Sequence, residues 1–370
     1  MSSLPYNFSH QNTTLVHICC SVDSHHFLTQ LKKLYPNKCF CGYFYNPNIH
    51  PYEEYALRLS DVQRSCDILG IPLIVGEYED KKWLENAKGL EKAPEKGERC
   101  SFCFDFRLIK TAEIATKTHC VEFTTTLLAS PMKSQPELFA QGERIARDWN
   151  LDFLPLDVRS KGGTQAQNEL AKNAKLYRQN YCGCLFALKD QRNKSNKNPL
   201  ELMSSLSAPR ETRNLPALRF HNFQTRKKLE ESNQSYQIIK RKVLRYQLTK
   251  GLLTNNNQAI PSFICSYSFL SKPTKAKIEF WHKGIGYANK EGILLLLFEE
   301  FKEFLQVADF DTLLRVGTSE EAQLLLRHQL YSKGFSTSPI LIVEKPILQD
   351  FMLDISYITQ EEVLEDFISL

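Results

Sequence analysis

Five short apolar runs, at 14–18, 38–45, 71–77, 121–127 and 152–156, each stand beside a stretch with helical periodicity. This alternation constrains the fold more than any other feature. A strand followed by a helix returns the chain to the same end of a sheet, and the repeat builds a parallel sheet covered on both faces. Residues 51–69 show the helical half of the pattern best. Tyr52, Tyr55, Leu59, Val62, Cys66 and Leu69 recur at steps of three and four, with Arg58, Asp61 and Arg64 between them. The pattern predicts an α/β chain whose first half is a Rossmann-like unit with a parallel sheet. In such sheets a ligand sits beyond the carboxyl ends of the strands.

The polar, turn-rich segment NKSNKN at 193–198, followed by SSLSAPRET, marks a boundary. The expected division is a unit over 1–192, a linker over 193–210 and a smaller α+β unit over 211–370. In the last, 224–248 reads as helical, 263–269, 276–281 and 340–343 as strands, and 293–306 and 318–330 as helices. With 370 residues, 42% of them hydrophobic, there is material for two cores. The start, MSSLPYNFSHQNTTL, lacks the charged-then-apolar layout of a signal peptide, and the longest strongly apolar run, 293–298, cannot cross a bilayer. A cytoplasmic protein without membrane attachment is expected. The net charge of +5 permits a polyanionic partner without requiring one.

Thiols in a reducing compartment point to metal or redox chemistry more than to disulfide staples, and this chain has eleven cysteines. Cys19 and Cys20, in LVHICCSVDSHHF, fall at the turn from the first strand to its helix, where a nucleotide-binding protein carries a glycine-rich loop. That loop is absent. Consecutive side chains diverge, so packing accounts for at most one of the two. Helix amides from about Ser24 onward favour an anionic group here. Cys100 and Cys103, in GERCSFCFDFRL, have the C-x-x-C spacing that lets two sulfurs reach one metal or cluster. Alone they are half a site or a thioredoxin-like pair, and Cys19 with Cys20 is the most economical other half. Arg107 is placed to balance thiolate charge.

Cys182 and Cys184, in RQNYCGCLFAL, can join only in a small, strained and labile ring, which suits a redox pair; alternatively they bind metal with a carboxylate such as Asp23. Cys39 and Cys41 read as core thiols on one side of a strand, and Cys66, Cys120 and Cys265 as core. The remaining six exceed one four-thiolate site. Either four hold a cluster beside a separate C-x-C pair, or all six share two neighbouring metals with Asp23.

The segments HICCSVD, ERCSFCFDFRL, TTTLLASPMKS, DVRSKGG and YRQNYCGCLFAL occur in the order and at roughly the spacing of the QueH-type, cobalamin-independent epoxyqueuosine reductases, which residues 13–190 resemble. The resemblance implies an adenine nucleotide alpha hydrolase-like fold. It also implies the last step of queuosine synthesis, removal of the epoxide oxygen from epoxyqueuosine at the wobble position of tRNA. By it, Cys19, Cys20, Cys100 and Cys103 hold a 4Fe-4S cluster, while Cys182 and Cys184 form a redox-active pair or bind one additional iron with Asp23. A tRNA carrying epoxyqueuosine and an electron donor such as a ferredoxin or flavodoxin are the implied partners.

Turning an epoxide into an alkene takes two electrons and two protons and releases water, so the site needs an electron source, an acid and a group that polarises the oxygen. Asp157 and Lys161, in the loop after the fifth strand, are candidate acids. Tyr177, Arg178, Gln179 and Tyr181, just before the C-x-C, are candidates for contact with a splayed-out base, and Thr126, Ser130 and Lys133 could line the same mouth. The stretch 226–250 carries Arg226, Lys227, Lys228, Lys240, Arg241, Lys242, Arg245 and Lys250 with Tyr236 and Tyr246, a composition suited either to phosphate contact or to the solvated face of a helix. Two rival readings are a zinc-stapled RNA-binding protein without redox activity and an ATP-dependent tRNA-thiolation-like enzyme. The second calls for a Ser-Gly-Gly-x-Asp-Ser type loop where this chain has Cys-Cys-Ser-Val-Asp.

Overall fold

The computed structural model describes residues 12–160, 162–203, 206, 215–331 and 334–370. The chain divides into two compact units, Met1–Asn196 and Lys197–Leu370. Among the described residues no helix is long and apolar enough to cross a membrane.

The first unit has the alternation expected from the sequence. It runs β1 (Thr13–Ile18), α1 (Ser21–Leu34), β2 (Cys39–Phe44), α2 (Tyr52–Leu69), β3 (Leu73–Val75), α3 (Asp80–Asn86), α4 (Glu98–Lys117), β4 (Glu122–Thr125), α5 (Gln135–Trp149), β5 (Asp152–Phe153), α6 (Gly163–Asn173) and α7 (Leu185–Lys194). The five strands pair in parallel in the order β3-β2-β1-β4-β5. Period-two alternation gives each strand two buried faces. On β1, Val16 and Ile18 join a core with Phe27, Leu28 and Leu31 of α1, while Leu15 joins one with Leu108, Ala112 and Ala115 of α4. β1 is the strand from which the chain leads off to either side, toward β2 and toward β4. The crevice at its carboxyl end is therefore where this topology leaves room for a ligand.

The second unit departs further from expectation. It opens with α8 (Leu215–Glu231), β6 (Tyr236–Asn255), β7 (Gln258–Ala259), β8 (Ser262–Ile264), β9 (Thr274–Ala276), β10 (Ile278–His282), β11 (Ile285–Ala288) and β12 (Leu294–Leu297). It continues with α9 (Phe298–Leu305), α10 (Phe310–Val316), α11 (Glu320–Leu330), β13 (Ile340–Val343) and β14 (Phe351–Ser369). The helix expected over 224–248 ends at Glu231, and the chain continues as a long strand in antiparallel register with β14 from Tyr236↔Ser369 to Thr254↔Met352. Ile238, Ile239 and Val243 are β-branched and favour that state, and a partner more than ninety positions away completes it. Likewise the helix expected over 293–306 begins as β12, a continuous apolar run buried between β11 and β13; a run that short fits strand or helix equally. The strand expected at 276–281 is split between β9 and β10, which belong to different sheets.

Of the expected core thiols, Cys41, Cys66, Cys120 and Cys265 are buried, whereas Cys39, at the first position of β2, is exposed.

Candidate functional site

β1 ends at Ile18, and Cys19 and Cys20 occupy the turn into α1, with Cys20 as its N-cap residue. Their sulfurs lie 3.8 Å apart. One helical turn later the buried Asp23 brings Oδ2 to 3.7 Å from Cys19 Sγ, while its Oδ1 accepts a 2.7 Å hydrogen bond from Gln167 Nε2. The ligand atoms of Cys19, Cys20 and Asp23 lie within 4.8 Å of one another. Thr126, in the short turn Thr126–Ala129 after β4, accepts from the Cys19 amide at 3.2 Å and lies 3.5 Å from its sulfur.

Cys100 and Cys103 sit one turn apart in the first turns of α4, on one helical face. The Lys96 amide donates to Cys100 Sγ at 3.2 Å. One turn beyond, buried Arg107 donates Nε to the Cys103 carbonyl at 3.3 Å and Nη1 to Asn46 Oδ1 at 3.0 Å, and Asn46 in turn donates to the Ile18 carbonyl at 2.8 Å. The end of β1 and the start of α4 are thus tied together through two polar side chains.

The third pair hangs on α2. Glu54, Arg58 and Asp61, at steps of four and three, form a buried charged stripe along that helix. Arg58 pairs with Glu54 at 2.8 Å and donates Nη2 to the Tyr181 carbonyl at 3.0 Å and Nη1 to the Cys182 carbonyl at 3.1 Å. Tyr177 donates its hydroxyl to Glu54 at 2.9 Å and its amide to Asp61 at 2.7 Å. Gly183, at φ +105°, accepts from the His50 amide at 2.9 Å, and the Tyr181 hydroxyl donates back to the His50 carbonyl. Periodicity alone sets Arg58 and Asp61 between the apolar positions of α2 and gives them no part in the site. Their own three-and-four spacing with Glu54 is the signal that could have placed them there.

These pieces enclose one cavity of about 350 Å³, and all six thiols, Cys19, Cys20, Cys100, Cys103, Cys182 and Cys184, line it. Asp23, Ser130, Lys133, Gln179 and Tyr181 line it as well. Tyr177 and Arg178 do not; Tyr177 is a buried brace of the loop, and exposed Arg178 donates to Asn168 Oδ1 at 2.9 Å. Asp157 lies outside the cavity, its Oδ1 accepting from Gln135 Nε2 and the Arg159 amide. Lys161 lies outside the described residues.

The electrostatics divide each close pair. The Cys182 thiol is drawn down to about 5, first by its hydrogen bond with Cys184 and, against the cost of burial, by the charge of Lys133; Cys184 is pushed up by the same hydrogen bond. Cys19 is lowered by its hydrogen bond with Cys20, which is raised in turn. Burial raises the Asp23 carboxyl and the Cys103 thiol, the latter opposed by Arg107. Arg99 and Arg107 are buried in the wall with no ion pair among the described residues, so the cavity is built for net negative charge.

In the second unit the basic stretch is partly neutralised, by its partner strand and by α11. Arg241 pairs with Asp366 at 2.7 Å, Lys250 with Asp354, and Arg245 with Glu320 at 3.5 Å, while Arg226 is buried.

The family model described as epoxyqueuosine reductase QueH matches residues 14–190. Epoxyqueuosine reductase QueH of Helicobacter pylori is 36% identical over 370 aligned residues, covering 94% of this chain and 98% of that protein. The chain belongs to the QueH family of epoxyqueuosine reductases. The enzyme is thus an oxidoreductase by family, and its matched region contains all six cavity thiols. Epoxyqueuosine reductase QueH of Thermotoga maritima is 36% identical over 185 residues, 49% of this enzyme and 93% of its own length. A solved structure, the U34-tRNA thiolase NcsA from Methanococcus maripaludis with its 4Fe-4S cluster, aligns over 53% of this chain and 70% of that one at 14% identity. Its TM-score is 0.33.

Proposed function

We propose that the six-thiol cavity is where this epoxyqueuosine reductase removes the epoxide oxygen from the wobble nucleoside of tRNA. The observation that carries the reading is the convergence of three sequence-distant thiol pairs on one enclosed space. Cys19, Cys20, Cys100 and Cys103 are the ligands of a 4Fe-4S cluster. The fit rests on the donor set and on its surroundings, four thiols with buried Arg107 and Arg99 beside them to balance an anionic group. When bound, such a cluster supplies electrons one at a time, drawn from a donor of the ferredoxin or flavodoxin class.

Cys182 and Cys184 store the electron pair. Two thiols becoming one disulfide release two electrons and two protons, which balances epoxide going to alkene and water. The easily opened C-x-C ring then allows the dithiol to be restored by external electrons. Arg58 and Gly183 fix the backbone on which both sulfurs ride. Gln179 and Tyr181 border the mouth through which the base enters, while Tyr177 and Arg178 serve by bracing that loop. A second reading, in which Cys182, Cys184 and Asp23 hold one additional iron, is supported by all three lining the same cavity, although the carboxylate itself lies closest to Cys19 and Cys20. In both readings catalysis belongs to residues 1–192 in the cytoplasm, with 193–210 as linker and 211–370 as accessory.

Iron and acid-labile sulfide analysis of protein purified without oxygen tests the reading. About four irons and four sulfides per chain support the cluster with a dithiol, and about five irons support the second reading. Zinc alone, in protein that stays colourless after iron and sulfide are supplied, overturns both. Cys182→Ser and Cys184→Ser should keep the cluster absorbance and lose reduction of epoxyqueuosine in tRNA; undiminished turnover in both variants removes the pair from the mechanism.

A further inference from the structure

Two carboxylates stand among the described residues that line the cavity, Asp23 and Glu95. Asp23 is occupied by Gln167 and lies against Cys19. Glu95 is half-buried, and among the described residues it receives one hydrogen bond, a long one, 3.4 Å from Gln191 Nε2 of α7. In the lining of the same cavity, the side-chain carbonyl oxygens of Asn48 and Gln179 are buried and receive no hydrogen bond among the described residues. Buried acceptors are costly to leave without donors, so a cavity lined by two of them and a carboxylate calls for a ligand rich in N–H and O–H groups.

The loop that carries Glu95 is built rather than loose. Arg99, buried in the first turn of α4, donates Nη1 to the carbonyls of Leu90, Glu91 and Ala93 at 3.2, 2.8 and 2.5 Å and lies over the Phe186 ring, 5.5 Å from its centroid. Arg99 is the residue before Cys100, so one side chain sets the approach of Glu95 relative to the thiol-bearing helix. Glu95 is also near enough to Cys182 for its charge to oppose ionisation of that thiol.

We propose that Glu95, with Asn48 and Gln179, forms the subsite that recognises the polar arm of the substrate nucleoside: the secondary amine, protonated at neutral pH, and the ring hydroxyls beside the epoxide. Glu95 takes the ammonium group in a charge-assisted hydrogen bond, and the two amide oxygens take hydroxyl or N–H donors. This inference rests on the six-thiol cavity being the active site. It adds how the enzyme tells a modified wobble base from plain guanosine, which lacks the amine and the ring.

The test is equilibrium binding of the full-length protein to one tRNA bearing either epoxyqueuosine or guanosine at the wobble position. The wild type should prefer the epoxyqueuosine form. Glu95→Gln should reduce that preference about tenfold or more while leaving affinity for the guanosine form unchanged, and Asn48→Ala and Gln179→Ala should reduce it less. A preference kept in full by Glu95→Gln overturns the subsite and leaves the cavity reading standing. Equal weakening toward both tRNAs also overturns it, because the residue would then serve the fold or the tRNA body. A wild type with no preference overturns the subsite, while turnover of Cys182→Ser and Cys184→Ser still decides the cavity reading on its own.

Discussion

Replacing Gly183 with alanine measures how tightly the fold dictates the position of the two thiols beside it. At φ +105° a side chain is strained, and an added Cβ would lie 2.7 Å from Ile49 Cγ1, 3.2 Å from Ile49 Cα and 3.3 Å from Arg58 Nη1. The backbone term is ~1–3 kcal/mol. Pressing a methyl against a neighbouring main chain adds ~1–3 kcal/mol, so an intact loop loses about 2–6 kcal/mol. At ~2–4 °C per kcal/mol for a unit of this size, the midpoint should fall by roughly 4 °C or more in a thermal melt followed by circular dichroism. Gly70→Ala is the comparison. Gly70 also has positive φ, +64°, but nothing lies within 4 Å of its added Cβ, so it isolates the backbone term at ~1–2 kcal/mol. The loop has one escape, which is to turn away and give up the His50 amide and Arg58 contacts; both sulfurs then move, and turnover collapses with a smaller loss of stability. A Gly183→Ala protein with an unchanged midpoint and full turnover would refute the claim that this glycine fixes the thiols.

Arg58→Ala should destabilise the protein by ~3–5 kcal/mol in urea titration, because it leaves Glu54 charged and fully buried, and a loss under about 1 kcal/mol would contradict that pairing. In reduced, metal-free protein Cys182 should be alkylated first. Its folded pKa near 5 keeps the thiolate present at every pH above that value, so its rate should be flat from about pH 6 to 8, and a tenfold rise per pH unit would show an ordinary thiol. Cys66 and Cys265, pushed up to about 12 by burial, should stay unmodified in the same mass-spectrometric map. A chain ending at Asn196 should fold and reduce epoxyqueuosine in tRNA, since the Thermotoga maritima relative is matched over 93% of its length by about half of this chain. A folded but inactive fragment would give the second unit an essential part.

The sequence is legible where local pattern encodes the structure. The five strands of the first sheet stand within a few residues of their apolar runs, because burial on both faces demands near-continuous hydrophobicity. Cys19, Cys20, Cys100, Cys103, Cys182 and Cys184 stand out because side-by-side and near-spaced thiols are hard to account for as packing, and they line one cavity. The Glu54, Arg58 and Asp61 stripe does not stand out, because a buried polar stripe has the same period as a solvated one. Partners distant in the chain tell them apart, Ser21 of α1 for Asp61 and above all the Cys182 loop, more than a hundred residues away. The same blindness makes β6 look helical: Ile238, Ile239, Val243, Leu244 and Leu248 fit a helix face, while the strand that pairs with them lies beyond residue 350.

The cavity is assembled from the end of β1, the start of α4, the turn after β4 and the loop before α7, segments far apart in the chain that the parallel sheet brings together. That ordering gives the site a place in time. In the unfolded chain the thiols are scattered and chelate poorly, while the apolar layers around β1 close without needing any of them as metal ligands. Small metal-dependent domains, by contrast, collapse when stripped. If the thiols hold the proposed cluster, the scaffold precedes its cargo, and the protein should empty and refill as a folded object.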